Sequence, residues 1–118
     1  MATVVVVDDS TYFRLKLKLV LERLGHEVIG EATDGKKAAA LYKKLKPDFI
    51  TMDISMPNVN GIEGVELIMN EDPDAVIVMV SAMGRKHHVL VAMKLGAKHF
   101  ILKPMNEDIV KKVLSKVL

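Results

Sequence analysis

Short apolar runs alternate with longer amphipathic segments five times along this 118-residue chain. The run over Thr3–Val7 is β-branched throughout and that over residues 75–80 is apolar throughout, which is typical of strands that are buried on both faces. The segments between the runs carry apolar residues at helical spacing. Because strands that alternate with helices imply a parallel sheet covered on both faces, the pattern predicts an α/β fold built from five βα units.

The predicted elements follow from these two periodicities. One segment is ambiguous, because residues 14–19 alternate like a half-buried strand, whereas Phe13, Leu17, Val20 and Leu21 share one helical stripe. Its length and Gly25 as a stop signal favour the helix. The predicted strands are residues 3–7, 27–32, 48–53, 75–80 and 98–102, and the predicted helices are residues 11–24, 35–46, 62–71, 85–95 and a last helix capped by Asn106. The side chains of this last helix that are expected to face inwards are Ile109, Val110, Val113, Leu114 and Val117.

Composition excludes several classes of function. The chain is 50% hydrophobic and 27% charged, which is ordinary for one globular domain, so a single domain over residues 1–118 is expected. It has no Cys, and therefore neither a disulfide nor a thiolate metal site. A net charge of +2 without basic blocks does not indicate nucleic-acid binding. Since no long apolar run or signal-peptide pattern is found, no membrane association and a cytoplasmic location are expected.

Polar side chains follow four of the predicted strands. Asp8 and Asp9 follow the first strand, Asp53 ends the third, Ser81 follows the fourth and Lys103 follows the fifth. Each alone has a simple structural explanation as a helix cap, a loop acid, a turn hydroxyl or a solvated lysine. Because parallel strands all end at one edge of the sheet, where the sites of such folds lie, the sequence predicts that these groups converge.

The converging groups suit phosphoryl chemistry. By their reference pKa values, three ionised carboxylates and one ammonium leave a charge of about −2. A hard divalent cation balances such a charge, and Mg²⁺ takes oxygen ligands, here carboxylates from two strand ends and a backbone carbonyl after Asp53. A carboxylate can attack phosphorus and form an aspartyl-phosphate. Lys103 and Ser81 would then hold phosphoryl oxygens.

Four motifs carry a resemblance to a known family. Residues 4–10 (VVVVDDS), 51–61 (TMDISMPNVNG), 80–82 (VSA) and 100–104 (FILKP) resemble the receiver domains of bacterial and archaeal two-component response regulators, and most closely the CheY-type chemotaxis regulators. The likeness covers essentially the whole chain. It implies a doubly wound, flavodoxin-like sheet of five parallel strands in the order 2-1-3-4-5, the order that CheY itself exemplifies.

The resemblance also implies roles for the acidic residues. Asp53 corresponds to the phosphorylated aspartate, so it is the expected phospho-acceptor. Asp8 and Asp9 correspond to the acidic pair that binds Mg²⁺, and the resemblance favours Asp9 as the direct ligand. Ser55 corresponds to the position that gives its backbone carbonyl to the metal.

A further set of positions corresponds to the switch of this family. Ser81 matches the switch hydroxyl and Lys103 the invariant lysine, and the Lys103–Pro104 peptide bond matches one that is cis in the family. Phe100 stands at the aromatic switch position, which is often Tyr. On phosphorylation, Ser81 is expected to move towards the phosphoryl group and Phe100 to turn into the vacated space, so that the face of the fourth helix, fifth strand and fifth helix changes.

Residues shortly after Ser81 bear on the lifetime of the phosphorylated form and on the charge of the surface. Met83 lies two residues after Ser81, at a position where the resemblance implies control of phosphoryl loss. Because Met83 is apolar and cannot orient a water by hydrogen bonding, slow self-dephosphorylation is expected. His87 and His88 diverge on a helix and so do not suggest a metal site, and with the neighbouring Arg85 and Lys86 they indicate a basic, solvated patch.

The expected function is therefore a phosphorelay response regulator. A histidine kinase would be the phosphodonor, and the changed surface would bind a target such as a motor component in chemotaxis, with a phosphatase as a possible further partner. The chain is not expected to be an enzyme beyond its own phosphorylation and dephosphorylation. An intermediate in a phosphorelay, or a receiver cut from a longer regulator, is the nearest alternative.

Three more distant alternatives are distinguished by sequence. A haloacid-dehalogenase-type phosphatase needs Asp-x-Asp after the first strand, and the chain has Asp8–Asp9–Ser10 there. A flavodoxin-like cofactor binder needs a phosphate cradle rich in Gly and hydroxyls, where this chain has carboxylates. A degenerate receiver that only binds partners is disfavoured by the intact set of acids, Ser81 and Lys103.

Overall fold

The computed structural model describes residues 1–54, 56 and 60–118. Over these residues, five parallel strands form one sheet in the order β2-β1-β3-β4-β5, which confirms the predicted fold. The strands are β1 (Thr3–Val7), β2 (Glu27–Ala32), β3 (Phe49–Asp53), β4 (Ile77–Ala82) and β5 (His99–Lys103), and the helices are α1 (Thr11–Arg23), α2 (Gly35–Leu45), α3 (Gly61–Glu71), α4 (Lys86–Leu95) and α5 (Glu107–Val117).

Two apolar layers cover the two faces of the sheet. Side chains alternate along β1, so that Val5 and Val7 pack in one layer and Val4 and Val6 in the other. Helices α2, α3 and α4 supply the first layer, and α1 and α5 supply the second. Because β1, β3 and β4 are covered on both sides, their sequences are continuous apolar runs rather than alternating ones.

Short polar side chains start four of the helices. In each case the capping oxygen accepts a hydrogen bond from the backbone N–H three residues later, at 2.8 to 3.1 Å. The caps are Ser10 for α1, Asp34 for α2, Asn60 for α3 and Asn106 for α5. The helical interpretation of residues 11–24 and the Asn106 cap are thereby confirmed.

The structure corrects several details of the sequence prediction. Strand β4 begins at Ile77 and continues to Ala82, and β5 continues to Lys103, because Ser81 pairs with Leu102 and Ala82 with Lys103. Ser81 and Lys103 therefore lie inside the strands rather than after them. Ile109 was predicted to face inwards and is 42% exposed, since the buried stripe of α5 is centred on Val110, Val113 and Leu114. In the described parts of the chain, no helix is long and apolar enough to cross a bilayer.

Candidate functional site

Three carboxylates meet at the carboxyl ends of β1 and β3. Asp53 is the last residue of β3, and Asp8 directly follows β1, its neighbour in the sheet. One carboxylate oxygen from each of Asp8, Asp9 and Asp53 lies within 4.8 Å of the others. Asp8 and Asp53 are buried, whereas Asp9 is exposed. Parallel strands thus bring Asp53 close to the pair Asp8 and Asp9, which is far from it in the chain.

Lys103 reaches this cluster from the end of β5. Its Nζ donates to Asp8 Oδ2 at 2.8 Å and to Asp53 Oδ1 at 3.5 Å. The same ammonium lies 4.0 Å from the centre of the Phe13 ring, a cation–π contact. Sequence reasoning placed Phe13 only in the apolar stripe of α1. The ring therefore has a second role, because it holds the lysine head group over the acids.

The segment that carries Asp8 is fixed from both sides. Asp8 Oδ1 accepts a hydrogen bond from Ser10 N at 2.9 Å, and the Asp8 carbonyl oxygen accepts one from Arg14 Nη1 at 2.7 Å. Arg14 is itself paired with Glu31 at 3.0 Å. The first βα turn is consequently rigid, and it leaves Asp8 Oδ2 for Lys103.

The electrostatics of the cluster act most strongly on Asp53. Burial, the largest cause, and the neighbouring charge of Asp8, with a smaller contribution from Asp9, raise the pKa of Asp53 from 3.8 to about 6. The charge of Lys103 and its hydrogen bond oppose this shift. The charge predicted from the sequence assumed a reference pKa for each acid. For Asp53 that value is too low, because its carboxyl is removed from water and faces like charges.

The residues present fit a hard divalent cation. The donors are all carboxylate oxygens, the ligand type that Mg²⁺ prefers, and they lie within 4.8 Å of one another, where two ligands of one Mg²⁺ lie roughly 3 to 4 Å apart. The ammonium of Lys103 does not balance the three acids, and after burial the charge of Asp8 is the next largest cause of the raised pKa of Asp53. Asp8, Asp9 and Asp53 would hold the ion. The fourth expected ligand, the Ser55 carbonyl, lies outside the described residues.

The predicted switch residues lie beside this cluster on β4 and β5. Ser81 is buried, and its hydroxyl donates to the Ala82 carbonyl oxygen at 3.0 Å. Phe100 is 38% exposed and lines an apolar groove of about 310 Å³ together with Met83, Leu90 and other residues of β5 and α4. The Lys103–Pro104 peptide bond is cis.

Sequence reasoning missed the role of Gly61, the first residue of α3. A Cβ atom there would overlap the carbonyl oxygen of Asp53, and Gly61 N donates to the Ile54 carbonyl oxygen at 3.0 Å. The start of α3 therefore packs directly on the backbone that carries the candidate phospho-acceptor. The only signal in the sequence was a turn-rich stretch after Pro57, which does not tell which of its residues must lack a side chain.

Comparison with known proteins agrees with this geometry. Residues 4–115 match the family described as the response regulator receiver domain. This chain belongs to that family. The receiver is 48% identical to the chemotaxis protein CheY of Thermotoga maritima over 114 residues, which cover 97% of this chain and 95% of that protein. It is thus closely related to the CheY chemotaxis regulators.

Solved structures of receivers show the same fold. The response regulator domain of Thermotoga maritima CheB superposes with a TM-score of 0.85 at 38% identity, covering 98% of this receiver and 92% of that chain. The CheY chain of the CheX-CheY-BeF₃-Mg complex from Borrelia burgdorferi gives a TM-score of 0.90 at 34% identity, covering 98% and 89% of the two chains. The resemblance of the motifs to CheY-type receivers is confirmed.

Proposed function

We propose that this receiver accepts a phosphoryl group from a histidine kinase onto Asp53, in a Mg²⁺-dependent reaction that serves chemotaxis signalling. The observation that carries the proposal is the position of the Asp53 carboxylate, which lies at the end of β3 within reach of Lys103 and of the acids Asp8 and Asp9. The close relation of this chain to the CheY chemotaxis regulators supports the role in chemotaxis.

The residues of this chain supply the nucleophile and a positive charge for the phosphoryl group. An Asp53 oxygen attacks phosphorus, the P–N bond to the histidine of the kinase breaks, and the imidazole keeps the bonding electrons and regains a proton. A Mg²⁺ ion, when bound, supplies positive charge for the carboxylate and the phosphoryl oxygens. Lys103 leaves Asp53 Oδ1, where its contact is already long at 3.5 Å, and donates to a phosphoryl oxygen while Asp8 keeps it in place.

The switch follows from the hydrogen bond of Ser81. Its hydroxyl now donates to a backbone carbonyl oxygen, so it must exchange that bond for one to the phosphoryl group. Phe100 then turns inwards from its half-exposed position and changes the surface formed by α4, β5 and α5. The partners are the kinase, a target such as a motor component, and a phosphatase. The protein catalyses only its own phosphorylation and dephosphorylation, and slow dephosphorylation because of Met83 stays a prediction.

The test is phosphorylation by a small donor, followed by intact mass measurement. With Mg²⁺, the wild type is expected to gain the mass of one phosphoryl group, and Asp53→Asn is expected to gain none. Asp74→Asn, which changes an exposed acid in the turn before β4, is the matched control and should behave like the wild type. A chelator should abolish the gain in every variant. A folded wild type that gains no mass from any donor would instead favour a receiver that only binds partners.

A further inference from the structure

A second cavity of about 370 Å³ opens beside the acid cluster. Asp9 lines it on the side of the phosphorylation site, and Arg85 and His88 line it on the side of α4. The apolar side chains of Ile54 and Met56 also contribute to the wall. The cavity therefore leads from the acid cluster, at Asp9, to a pair of basic side chains.

The basic residues at the start of α4 differ in which cavity they line. Arg85 is the residue before α4 and forms no side-chain cap, and His88 follows at a spacing of three residues, which places both on one face. Within the described ranges, neither side chain forms an ion pair. Arg85 lines both the cavity at Asp9 and the apolar groove beside Phe100, whereas Lys86 lines only the groove. Sequence reasoning treated all of these as one solvated patch.

We infer that Arg85, assisted by His88, binds the anionic leaving group of small acyl phosphate donors during transfer to Asp53. This inference rests on the proposed function and adds a class of donor to it. A dianionic donor that approaches three carboxylates is repelled, and the guanidinium at the cavity mouth offsets that repulsion. A guanidinium also matches a carboxylate in shape, since its planar N–H groups can donate to both oxygens.

Transfer of the phosphoryl group from an acyl phosphate to Asp53 exchanges one bond at phosphorus for another. An Asp53 oxygen forms a bond to phosphorus, and the bond from phosphorus to the acyl oxygen breaks. The acyl group leaves as a carboxylate with the bonding electrons, so negative charge develops on the side remote from Asp53. Phosphoramidate gives the same aspartyl-phosphate but releases neutral ammonia from a nitrogen that was already protonated. Only the acyl phosphate therefore needs a cation at the leaving group.

The test compares the two donors on Arg85 variants at saturating Mg²⁺, by quenched time courses and intact mass. With acetyl phosphate, Arg85→Ala is expected to slow phosphorylation of Asp53 about three- to ten-fold, the range for losing one exposed charge-assisted hydrogen bond, and Arg85→Glu more. With phosphoramidate, Arg85→Ala should stay near the wild-type rate. His88→Ala should show a smaller loss with the same donor preference.

Matched controls distinguish binding of the leaving group by Arg85 from a general effect of positive charge near the site. Lys86→Ala and Lys86→Glu change charge at the next residue, outside the cavity, and His87→Ala is the control for His88. If the Lys86 variants lose as much rate with acetyl phosphate as the Arg85 variants do, or if Arg85→Ala slows both donors equally, the inference is wrong. If Asp53 takes phosphate from neither donor in the wild type, the proposed function itself fails.

Discussion

Asp53 combines two properties that oppose each other. It is 5% exposed and faces two other acids, so its ionised form is disfavoured, yet the ionised form is the nucleophile of the proposed reaction. Burial, the largest cause, and the charge of Asp8 raise its pKa to about 6. At neutral pH the carboxylate is therefore mostly ionised, but folding must accommodate its charge. In the absence of divalent cations, this residue should lower the stability of the receiver.

Replacement of the charge at Asp53 should stabilise the cation-free protein. A carboxyl whose pKa is about 6 when folded and 3.8 when unfolded contributes stability that is fully present below pH 3.8 and is lost as the pH rises through 6. Asp53→Asn is expected to raise the free energy of unfolding at pH 7.5 by on the order of 2–3 kcal/mol with chelator present, and by little near pH 4. Denaturant unfolding followed by circular dichroism measures this difference.

The exposed acid of the same cluster provides the control for this prediction. Asp9→Asn removes one carboxylate charge, as Asp53→Asn does. Because Asp9 is exposed, its replacement should change the unfolding free energy much less. A lower stability of Asp53→Asn than of the wild type at pH 7.5 would show that the Lys103 contact outweighs burial. The attribution to burial and like charge would then be wrong.

At the scale of elements, the first turn of α3 and the end of β3 act as one unit. Gly61 lies against the Asp53 carbonyl oxygen, and Asn60 caps the helix through Glu63 N. Gly61→Ala would push a methyl group into backbone atoms that have no free space, so a shift of Asp53 is required. We expect a loss of roughly 1–3 kcal/mol in unfolding free energy and slower phosphorylation with every donor.

A second glycine distinguishes a local from a general effect of added volume. At Gly30 in β2, a Cβ would meet the end of the Leu45 side chain at 3.0 Å, and that flexible group can move. Gly30→Ala should therefore phosphorylate at the wild-type rate, whatever its small change in stability. Equal phosphorylation rates for Gly61→Ala and the wild type, measured by intact mass, would contradict the positioning role of Gly61.

The elements also show what the sequence could and could not predict. Alternation of apolar runs and amphipathic segments predicted every strand and helix, and parallel topology predicted that Asp8, Asp9, Asp53 and Lys103 converge. Periodicity gives the face of a residue but not its neighbours across the fold. The Phe13 ring under Lys103, the close approach of Gly61 and the position of Arg85, but not of Lys86, at the cavity beside Asp9 therefore required the structure.

At the scale of the whole molecule, cation binding and folding should be linked through the acid cluster. An ion that binds only the folded receiver stabilises it by about 2.7 kcal/mol at a concentration of 100 times its Kd. For a domain of this size, 1 kcal/mol corresponds to a rise of roughly 4–6 °C in Tm. Mg²⁺ should therefore raise the Tm of the wild type clearly, and that of Asp53→Asn much less, since the asparagine brings no charge.

This linkage predicts that Mg²⁺ reduces the difference in stability between the wild type and Asp53→Asn, or reverses its sign. With chelator the asparagine variant is the more stable at pH 7.5, and saturating Mg²⁺ selectively stabilises the wild type. Because the ion competes with a proton on a carboxyl of pKa about 6, the Tm gain of the wild type should shrink when the pH is lowered to 5. Thermal unfolding with Mg²⁺ or chelator at both pH values measures this, with Asp74→Asn as the control for unspecific binding to acids. An equal Mg²⁺ gain in the wild type and Asp53→Asn would place the cation away from the phospho-acceptor.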